Sequence, residues 1–139
     1  MEFIDDGTRE EVSAFLARFE RNANSGDAGE AAAQFADTFM AADASGARAV
    51  PSSVLLRAIP ERREMFERLG SSVTTLASVD EMRLDDRYVL LKTEWLVKFA
   101  PGSREVTLRS TYVVHRSDDG WKVVFYLNHE DLTAVFGLG

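Results

Sequence analysis

The sequence predicts an α+β domain in which three N-terminal helical segments pack on a curved antiparallel sheet. Apolar residues repeat at helical spacing in the first half of the chain and alternate with polar residues in the second half. Three short turns separate the predicted strands, and turns of this length join antiparallel neighbours. Because the chain has 139 residues and contains no repeat or linker, we expect one domain covering residues 1–139.

The first two helices are predicted from capping residues and apolar spacing. Thr8 is the expected N-cap of the first helix, and Glu11 three positions later completes a capping box. The second helix is expected over residues 27–43. Its apolar stripe consists of Ala32, Phe35, Ala36, Phe39 and Met40.

The third helical segment is expected over residues 52–69, with Gly70 as its end. Pro60 is expected either to kink this segment or to begin its second half. A short helix is also expected at the carboxyl end, over residues 132–136. Asn128 is its expected N-cap, so the polar stretch that begins there is predicted to be a strand-to-helix junction.

The alternating half contains four predicted strands, at residues 74–84, 88–99, 104–116 and 121–128. In the middle hairpin, one register places Lys98 opposite Glu105 and Glu94 opposite Arg109, so opposite charges meet on one face. The other face is then nearly apolar, as a face covered by helices must be. A slip of one residue would destroy both patterns.

The last strand follows from the Asp-Gly turn before it. Pairing Arg116 with Trp121 across this turn directs Phe125 to the inner, helix-covered face of the sheet and Asn128 to the outer face. We therefore expect Phe125 to be a wall of any pocket that the inner face encloses.

The register of the first strand leaves two alternatives. A two-residue turn directs Asp80 inward, opposite Thr93, which itself lies opposite Ser110. A slip of one residue at that turn directs Glu81 inward instead. Either register buries one carboxyl group, and burial raises the pKa of such a group towards the range useful for acid–base catalysis.

Three motifs resemble one known superfamily, and the element order extends this resemblance over nearly the whole chain. The motifs are Phe35-Ala36-Asp37-Thr38-Phe39, Arg62-Arg63 and Asp119-Gly120-Trp121-Lys122-Val123-Val124. They resemble the SnoaL-like branch of the nuclear transport factor two-like superfamily, which has a cystatin-like α+β fold. The resemblance implies a cone-shaped internal pocket, where the enzymes of the superfamily place Asp, Tyr, His or Arg to act on small hydrophobic molecules. The His-x-Ser ending frequent in that family is replaced here by Asn128-His129-Glu130-Asp131.

Two functions follow from these expectations. The first is the binding of a small hydrophobic molecule in the pocket, or service as a dimeric scaffold. The alternative is an acid–base enzyme of the isomerase, dehydratase or cyclase type, with Asp80 as its acid or base. The residues expected to contact a ligand are Thr93, Trp95, Ser110, Tyr112, Phe125 and, at the pocket rim, His129.

Composition argues against several other classes of function. The net charge of −7 disfavours binding to nucleic acid or to an anionic membrane. The chain has no cysteine, and its two histidines lack metal-ligand spacing, so neither a metal nor a cofactor is expected. The amino terminus lacks signal-peptide features and no apolar run approaches a membrane span, so a cytoplasmic location is expected.

The outer face of the sheet and the third helix predict contacts with other molecules. Apolar residues on the outer face, which predict a homodimer through this face, are Leu90, Leu96, Val113, Val124 and Tyr126. Arginines and glutamates alternate along the third helix and indicate a solvated surface. In an alternative interpretation, one of these arginines closes the pocket over an anionic group.

Overall fold

The structure is a computed structural model that describes residues 6–25, 27–70, 72–99 and 104–130. Its helices, within these ranges, are α1 (Asp6–Ser25), α2 (Ala28–Ala32) and α3 (Leu55–Arg68), and a 3₁₀ turn (Ser52–Val54) precedes α3. Its strands are β1 (Phe35–Asp43), β2 (Gly46–Pro51), β3 (Ser72–Asp85), β4 (Tyr88–Phe99), β5 (Arg104–Ser117) and β6 (Gly120–Asn128). The short helix predicted at residues 132–136 lies outside the described residues.

All six strands belong to one curved sheet, in the order β2-β1-β6-β5-β4-β3. β1 runs parallel to β6, and every other pair of neighbours is antiparallel. The α+β class is therefore confirmed, and the four strands predicted in the second half of the chain are present with small changes at their ends.

The prediction of a second long helix is wrong. The helix α2 ends at Ala32, and the following residues form the hairpin β1–β2. Phe35 and Phe39, which suggested a helical stripe, are both buried on the sheet. Residues four apart share a face in a strand as well as in a helix, so their spacing does not distinguish the two structures. This segment forms a strand because it pairs with β6.

The first helix begins earlier than its predicted cap. Thr8 lies inside α1, whose first residue is Asp6, and its hydroxyl accepts a hydrogen bond from Arg116 at 2.9 Å. One turn later, the carboxylate of Glu11 accepts a hydrogen bond from Trp121 Nε1 at 2.8 Å and pairs with Arg116 at 3.0 Å. Thr8 and Glu11 therefore attach α1 to the β5–β6 turn instead of capping the helix.

The predicted register of the β4–β5 hairpin is confirmed. Lys98 lies opposite Glu105, with their charged atoms 3.6 Å apart, and Glu94 lies opposite Arg109. The inner face of the two strands is buried, as expected from the alternation. Its buried residues are Val89, Leu91, Thr93, Trp95, Val97, Phe99, Leu108, Ser110, Tyr112 and Val114.

The register of β6 agrees with the prediction only in its first half. Val123 lies opposite Val114, whereas Phe125 lies opposite Val113, so one extra residue is accommodated in a β-bulge. After the bulge, every side chain points to the face opposite to the predicted one. The inward position predicted for Phe125 is therefore wrong, as is the outward position predicted for Asn128.

A bulge near the β3–β4 turn likewise decides between the two registers considered for β3. Asp80 lies opposite Lys92 on the outer face and is exposed, so its predicted inward position is wrong. Glu81 lies opposite Leu91 and is the carboxyl group that points inward. The register shifts between Arg83 and residue 85, at the position where the slip was considered.

Candidate functional site

A cavity of about 320 Å³ lies between the inner face of the sheet and the helices, and we call it the main cavity. It is bounded by the end of α1, by α2 and α3, and by the β1–β2 hairpin. Most of its walls are apolar and include Phe19, Phe35, Phe39, Val50, Leu55 and Phe66. Its volume falls within the range of about 300–1,000 Å³ that is typical of small-molecule sites.

A second space of about 40 Å³, which we call the side chamber, adjoins the main cavity. Phe19, Arg62, Tyr112 and Tyr126 line both spaces, so the two spaces meet at these side chains. Residues that line only the side chamber are Trp95, Leu108, Ser110 and Asn128. The polar groups of the site are thus concentrated at one end, which is the arrangement that orients a ligand in an apolar pocket.

Two polar residues of the main cavity are held in place by the protein. The side chain of Asn22, on α1, donates a hydrogen bond to the side chain of Gln34 at 2.9 Å. Gln34 in turn donates to the carbonyl of Phe15 at 3.0 Å. Because these amides already hydrogen bond to each other and to α1, they contribute more to the rigidity of the wall than to the recognition of a ligand.

The last turn of α1 is tied to β3 in a similar way. Asn24 exchanges two hydrogen bonds with the backbone of Thr74, both at 2.8 Å. Glu20 accepts a hydrogen bond from the backbone nitrogen of Leu76 at 2.7 Å. These contacts hold the end of α1 at the edge of the site. Thr74 itself lines both spaces.

Tyr112 lies where the two spaces meet, and its side chain is only 4% exposed. Burial raises the pKa of its hydroxyl far above the usual value, and the neighbouring Tyr126 raises it further, whereas Ser110 and Arg62 lower it by less. The rings of Tyr112 and Tyr126 meet edge to face with centroids 5.2 Å apart. Tyr112 therefore stays neutral near pH 7 and acts as a hydrogen-bonding group.

The indole of Trp95 provides a buried donor in the side chamber. Its Nε1–H lies near the hydroxyl of Tyr112. Among the described residues, however, it makes no hydrogen bond of normal geometry, although Trp95 is only 5% exposed. An unsatisfied buried donor costs about 1–3 kcal/mol, and a bound group that accepts from it would remove this cost.

Arg62 lies on α3 at the junction of the two spaces. Its guanidinium stacks over the ring of Phe66, 5.2 Å from the centroid, and is close enough to Tyr112 to influence its pKa. No carboxylate of the described chain lies within ion-pair distance of Arg62. Arg63, which lines the main cavity, differs because it pairs with Glu67 at 3.8 Å.

Three predicted site residues, Trp95, Ser110 and Tyr112, line this site. Thr93 is buried beside it and donates a hydrogen bond to the carbonyl of Ser110 at 2.8 Å, but it borders neither space. Its role is to connect β4 to β5.

The structure places the other predicted site residues elsewhere. Asp80 and Phe125 point to the outer face because of the two bulges. His129 is exposed and does not line the pocket rim: its Nε2 lies 2.8 Å from the hydroxyl of Thr111, on the outer face. Its backbone nitrogen continues the ladder by donating to Arg109.

Tyr126 and Asn128 also line the site, although their inward position was not predicted, because the bulge in β6 directs them inward. A signal for this bulge exists in the sequence, because residues 123–127 are five consecutive apolar residues and interrupt the alternation. Arg62 was considered only as one of several arginines on the third helix, since its position relative to the cavity depends on how α3 crosses the sheet.

The described residues show neither a metal-binding cluster nor a membrane-spanning helix. In the described ranges, no three His, Asp or Glu side chains are grouped so that they could hold a metal ion. The helices of the same ranges include none with the length and apolar character needed to cross a membrane.

Comparisons with known proteins agree with this architecture. Aln2 from a Streptomyces species has a similar structure, with a TM-score of 0.76 and 16% identity over 98% of this chain and 99% of that chain. A protein of unknown function with a cystatin-like fold from Nostoc punctiforme gives 0.74 and 13% over 94% and 96%. A proposed dehydratase of the NTF2-like family from Streptomyces avermitilis gives 0.70 and 15% over 93% and 99%.

At these identities the structural likenesses establish the fold alone. No curated protein matches the sequence. The family model described as "NTF2-like protein (DUF6841)" matches residues 5–131, which is most of the chain, and this confirms the resemblance to the nuclear transport factor two-like superfamily. The chain therefore belongs to the NTF2-like protein family DUF6841.

Proposed function

We propose that this protein binds a small, largely apolar molecule in the main cavity. The observation that carries the proposal is the cavity of about 320 Å³, whose apolar walls lead to a cluster of polar groups at one end. The space is concave and partly open to solvent, since its lining residues Ala58 and Arg62 are exposed, so a small molecule could enter it from the surface. Burial of apolar ligand surface would contribute about 25 cal/mol per Å² to binding.

We favour binding over acid–base catalysis because of the chemistry of the walls. None of the described residues that line the two spaces is Asp, Glu or His. Tyr112 has a raised pKa and therefore exchanges its proton poorly near neutral pH. Asp80, the expected acid or base, points away from the site. The proposed dehydratase that resembles this chain supports the enzymatic alternative only through its fold.

Binding can be tested by isothermal titration calorimetry with octanol, a neutral apolar probe. The wild-type protein is expected to bind octanol. An Ala41→Leu variant should bind it at least about tenfold more weakly, because Ala41 lines the main cavity and three added carbon atoms would occupy it.

Ala42→Leu is the matched control, since Ala42 pairs with Leu127 and its side chain points to the other face of the same strand. This variant should bind octanol as the wild type does. Equal weakening in both variants, or a wild type that binds neither octanol nor octanoate, would contradict the proposal.

We also propose that two copies of the chain associate through the outer face of the sheet. The strand registers place one apolar row across all six strands of this face. The row consists of Met82, Leu90, Val113, Phe125, Met40 and Ala49. Tyr126, which was predicted for this face, points inward, and the bulge brings Phe125 into the row instead. Charges of both signs adjoin it at Lys92, Glu94 and Arg109. A face with this pattern is suited to a symmetric partner.

Analytical ultracentrifugation would test this association. The wild type is expected to sediment as a dimer, and Phe125→Asp as a monomer, because a desolvated carboxylate in the apolar row would oppose contact. Leu56→Asp is the control, since Leu56 is also apolar but is exposed on α3 and does not belong to the sheet. A monomeric wild type, or a Phe125→Asp variant that remains dimeric, would refute this proposal.

A further inference from the structure

We infer that the ligand of this protein carries a carboxylate group, which lies in the side chamber and is bound by Arg62 and by the Nε1–H of Trp95. The apolar remainder of the ligand would occupy the main cavity, so this inference rests on the proposed binding function. It names the chemical class of the ligand, namely a small carboxylic acid with an apolar body.

The charges around the site favour an anionic group. The chain as a whole has a net charge of −7, yet the described residues that line the main cavity include three arginines and no carboxylate. Arg63 pairs with Glu67, and Arg48 lies close enough to Asp43 to lower the pKa of that carboxyl group. Arg62 is the member of this set whose charge is not offset by an acidic neighbour in the described chain.

Distance makes the local charge more important than the net charge. At physiological salt, charges more than about 8 Å apart are largely screened from each other. The acidic surface therefore has little effect on an anion inside the cavity, whereas a guanidinium at its wall acts directly. An arginine without an acidic partner beside an apolar pocket favours a ligand with a negative charge.

The hydrogen-bonding groups of the side chamber favour a group that accepts hydrogen bonds. The indole Nε1–H of Trp95 and the guanidinium of Arg62 can only donate hydrogen bonds, and both border this space. The described lining contains no side chain that can only accept. A carboxylate has two oxygens that accept and no donor, so it complements both groups at once. The buried, unpaired Trp95 donor is the strongest sign that an acceptor belongs there.

The two spaces differ in size. The side chamber has about 40 Å³, whereas a space of about 10–15 Å³ is enough to hold one water molecule. It can therefore take a group of a few atoms but not the body of a ligand. The main cavity, about 320 Å³ and mostly apolar, suits that body.

Calorimetry with two matched probes, octanoate and octanol, tests the inference at neutral pH and low salt. These probes share their chain length and differ at the terminal group. The wild type is expected to bind octanoate at least about tenfold more tightly than octanol, since hydrogen bonds to a charged group are among the stronger ones.

Arg62→Gln should weaken octanoate binding about ten- to a hundredfold and change octanol binding by less than about twofold. Arg57→Gln is the control, because Arg57 is exposed on the same helix, as Arg62 is, but borders neither space. This variant should retain the wild-type preference for octanoate.

Trp95→Phe provides a second, independent variant, because it removes the indole N–H while keeping an aromatic ring. It should weaken octanoate binding more than octanol binding. Equal affinity of the wild type for both probes, or an unchanged preference in Arg62→Gln, would overturn the inference and leave the binding function intact. If the wild type bound neither probe, the proposed binding function would fail, and the inference with it.

Discussion

The two ends of the space between helices and sheet are built differently. At one end, which we call the packed end, α1 fills the space completely. Its residues are Val12, Phe15, Leu16, Val89, Leu91, Val114, Trp121 and Val123, and none is more than 7% exposed. At the other end, which we call the hollow end, α3 and the β1–β2 hairpin enclose the main cavity. The same sheet thus supports a dense core and an empty space.

The difference comes from the side chains that face the sheet. Over the packed end, α1 presents Val12, Phe15 and Leu16, which reach the strands directly. Over the hollow end, α3 also presents apolar side chains, but Ala58 and Arg62 between them are exposed to solvent and leave the space open. Packing and binding are therefore assigned to separate regions, so substitutions at the two ends should have different consequences for stability.

Truncation of a leucine should give the largest difference in stability loss between the two ends. Leu16→Ala, at the packed end, should lower the free energy of unfolding by about 3 kcal/mol, because it opens a cavity among fully buried neighbours. Leu55→Ala should cost only about 1 kcal/mol, because Leu55 is partly buried and already borders empty space.

Urea denaturation of both variants would measure these losses. The m-value serves as the internal control, since an unchanged m-value shows that the unfolding reaction itself is the same. Equal losses in the two variants would mean that the hollow end contributes as much packing as the packed end, and the comparison would fail.

The sequence predicted the regular parts of this fold and not its irregular ones. The β4–β5 hairpin was placed residue by residue, because Lys98–Glu105 and Glu94–Arg109 pair only in one register. The bulge in β6 and the one near the β3–β4 turn each insert an extra residue and reverse the side chains that follow, in β3 as far as a second register shift between Leu76 and Ser78. A bulge depends on long-range pairing, and alternation alone locates it poorly.

The same limit applies to the candidate site. Trp95, Ser110 and Tyr112 were found because they lie on the regular hairpin. Tyr126 and Asn128 were missed because they follow the bulge in β6. The β1–β2 hairpin was missed as well, since β1 is recognisable chiefly through its parallel pairing with β6, at the far end of the sequence.

Substitutions that add side-chain volume should also destabilise the packed end more than the hollow end, but by a smaller margin. Val114→Leu, at a fully buried position of the packed end, should cost about 1–3 kcal/mol, because extra methylene groups have no room there. Ala41→Leu, at the hollow end, should change stability by less than about 1 kcal/mol, since its added carbon atoms enter the main cavity.

Thermal unfolding followed by circular dichroism would measure both changes. Val114→Ile is a useful control, because it adds the same volume as Val114→Leu and keeps the β-branched shape that strands favour. A strong loss in Ala41→Leu would indicate that the hollow end is already packed, and would argue against the cavity itself.

The smallest effect concerns Glu81, the carboxyl group that points into the edge of the packed end. Its Oε2 is buried without a hydrogen-bond partner in the described chain, and burial raises its pKa above the usual 4.5, although Arg9 lowers it somewhat. A raised pKa means that the folded state prefers the protonated form. The cost of the ionised form is therefore absent at low pH and appears as the pH rises through the pKa of the folded state.

Glu81→Gln replaces this group with a neutral one of the same shape, so it should stabilise the protein near pH 7 and lose that advantage near pH 4. The gain should stay below about 1 kcal/mol, because a shift of one pKa unit represents 1.36 kcal/mol and the group is partly solvated. Asp80→Asn is the control, because the exposed carboxyl group of Asp80 lies beside it on the outer face. Urea denaturation at both pH values would compare the stabilities of the Glu81→Gln and Asp80→Asn variants. A gain that is equal at both would trace the effect to packing instead of charge, because only the cost of a buried carboxylate changes with pH.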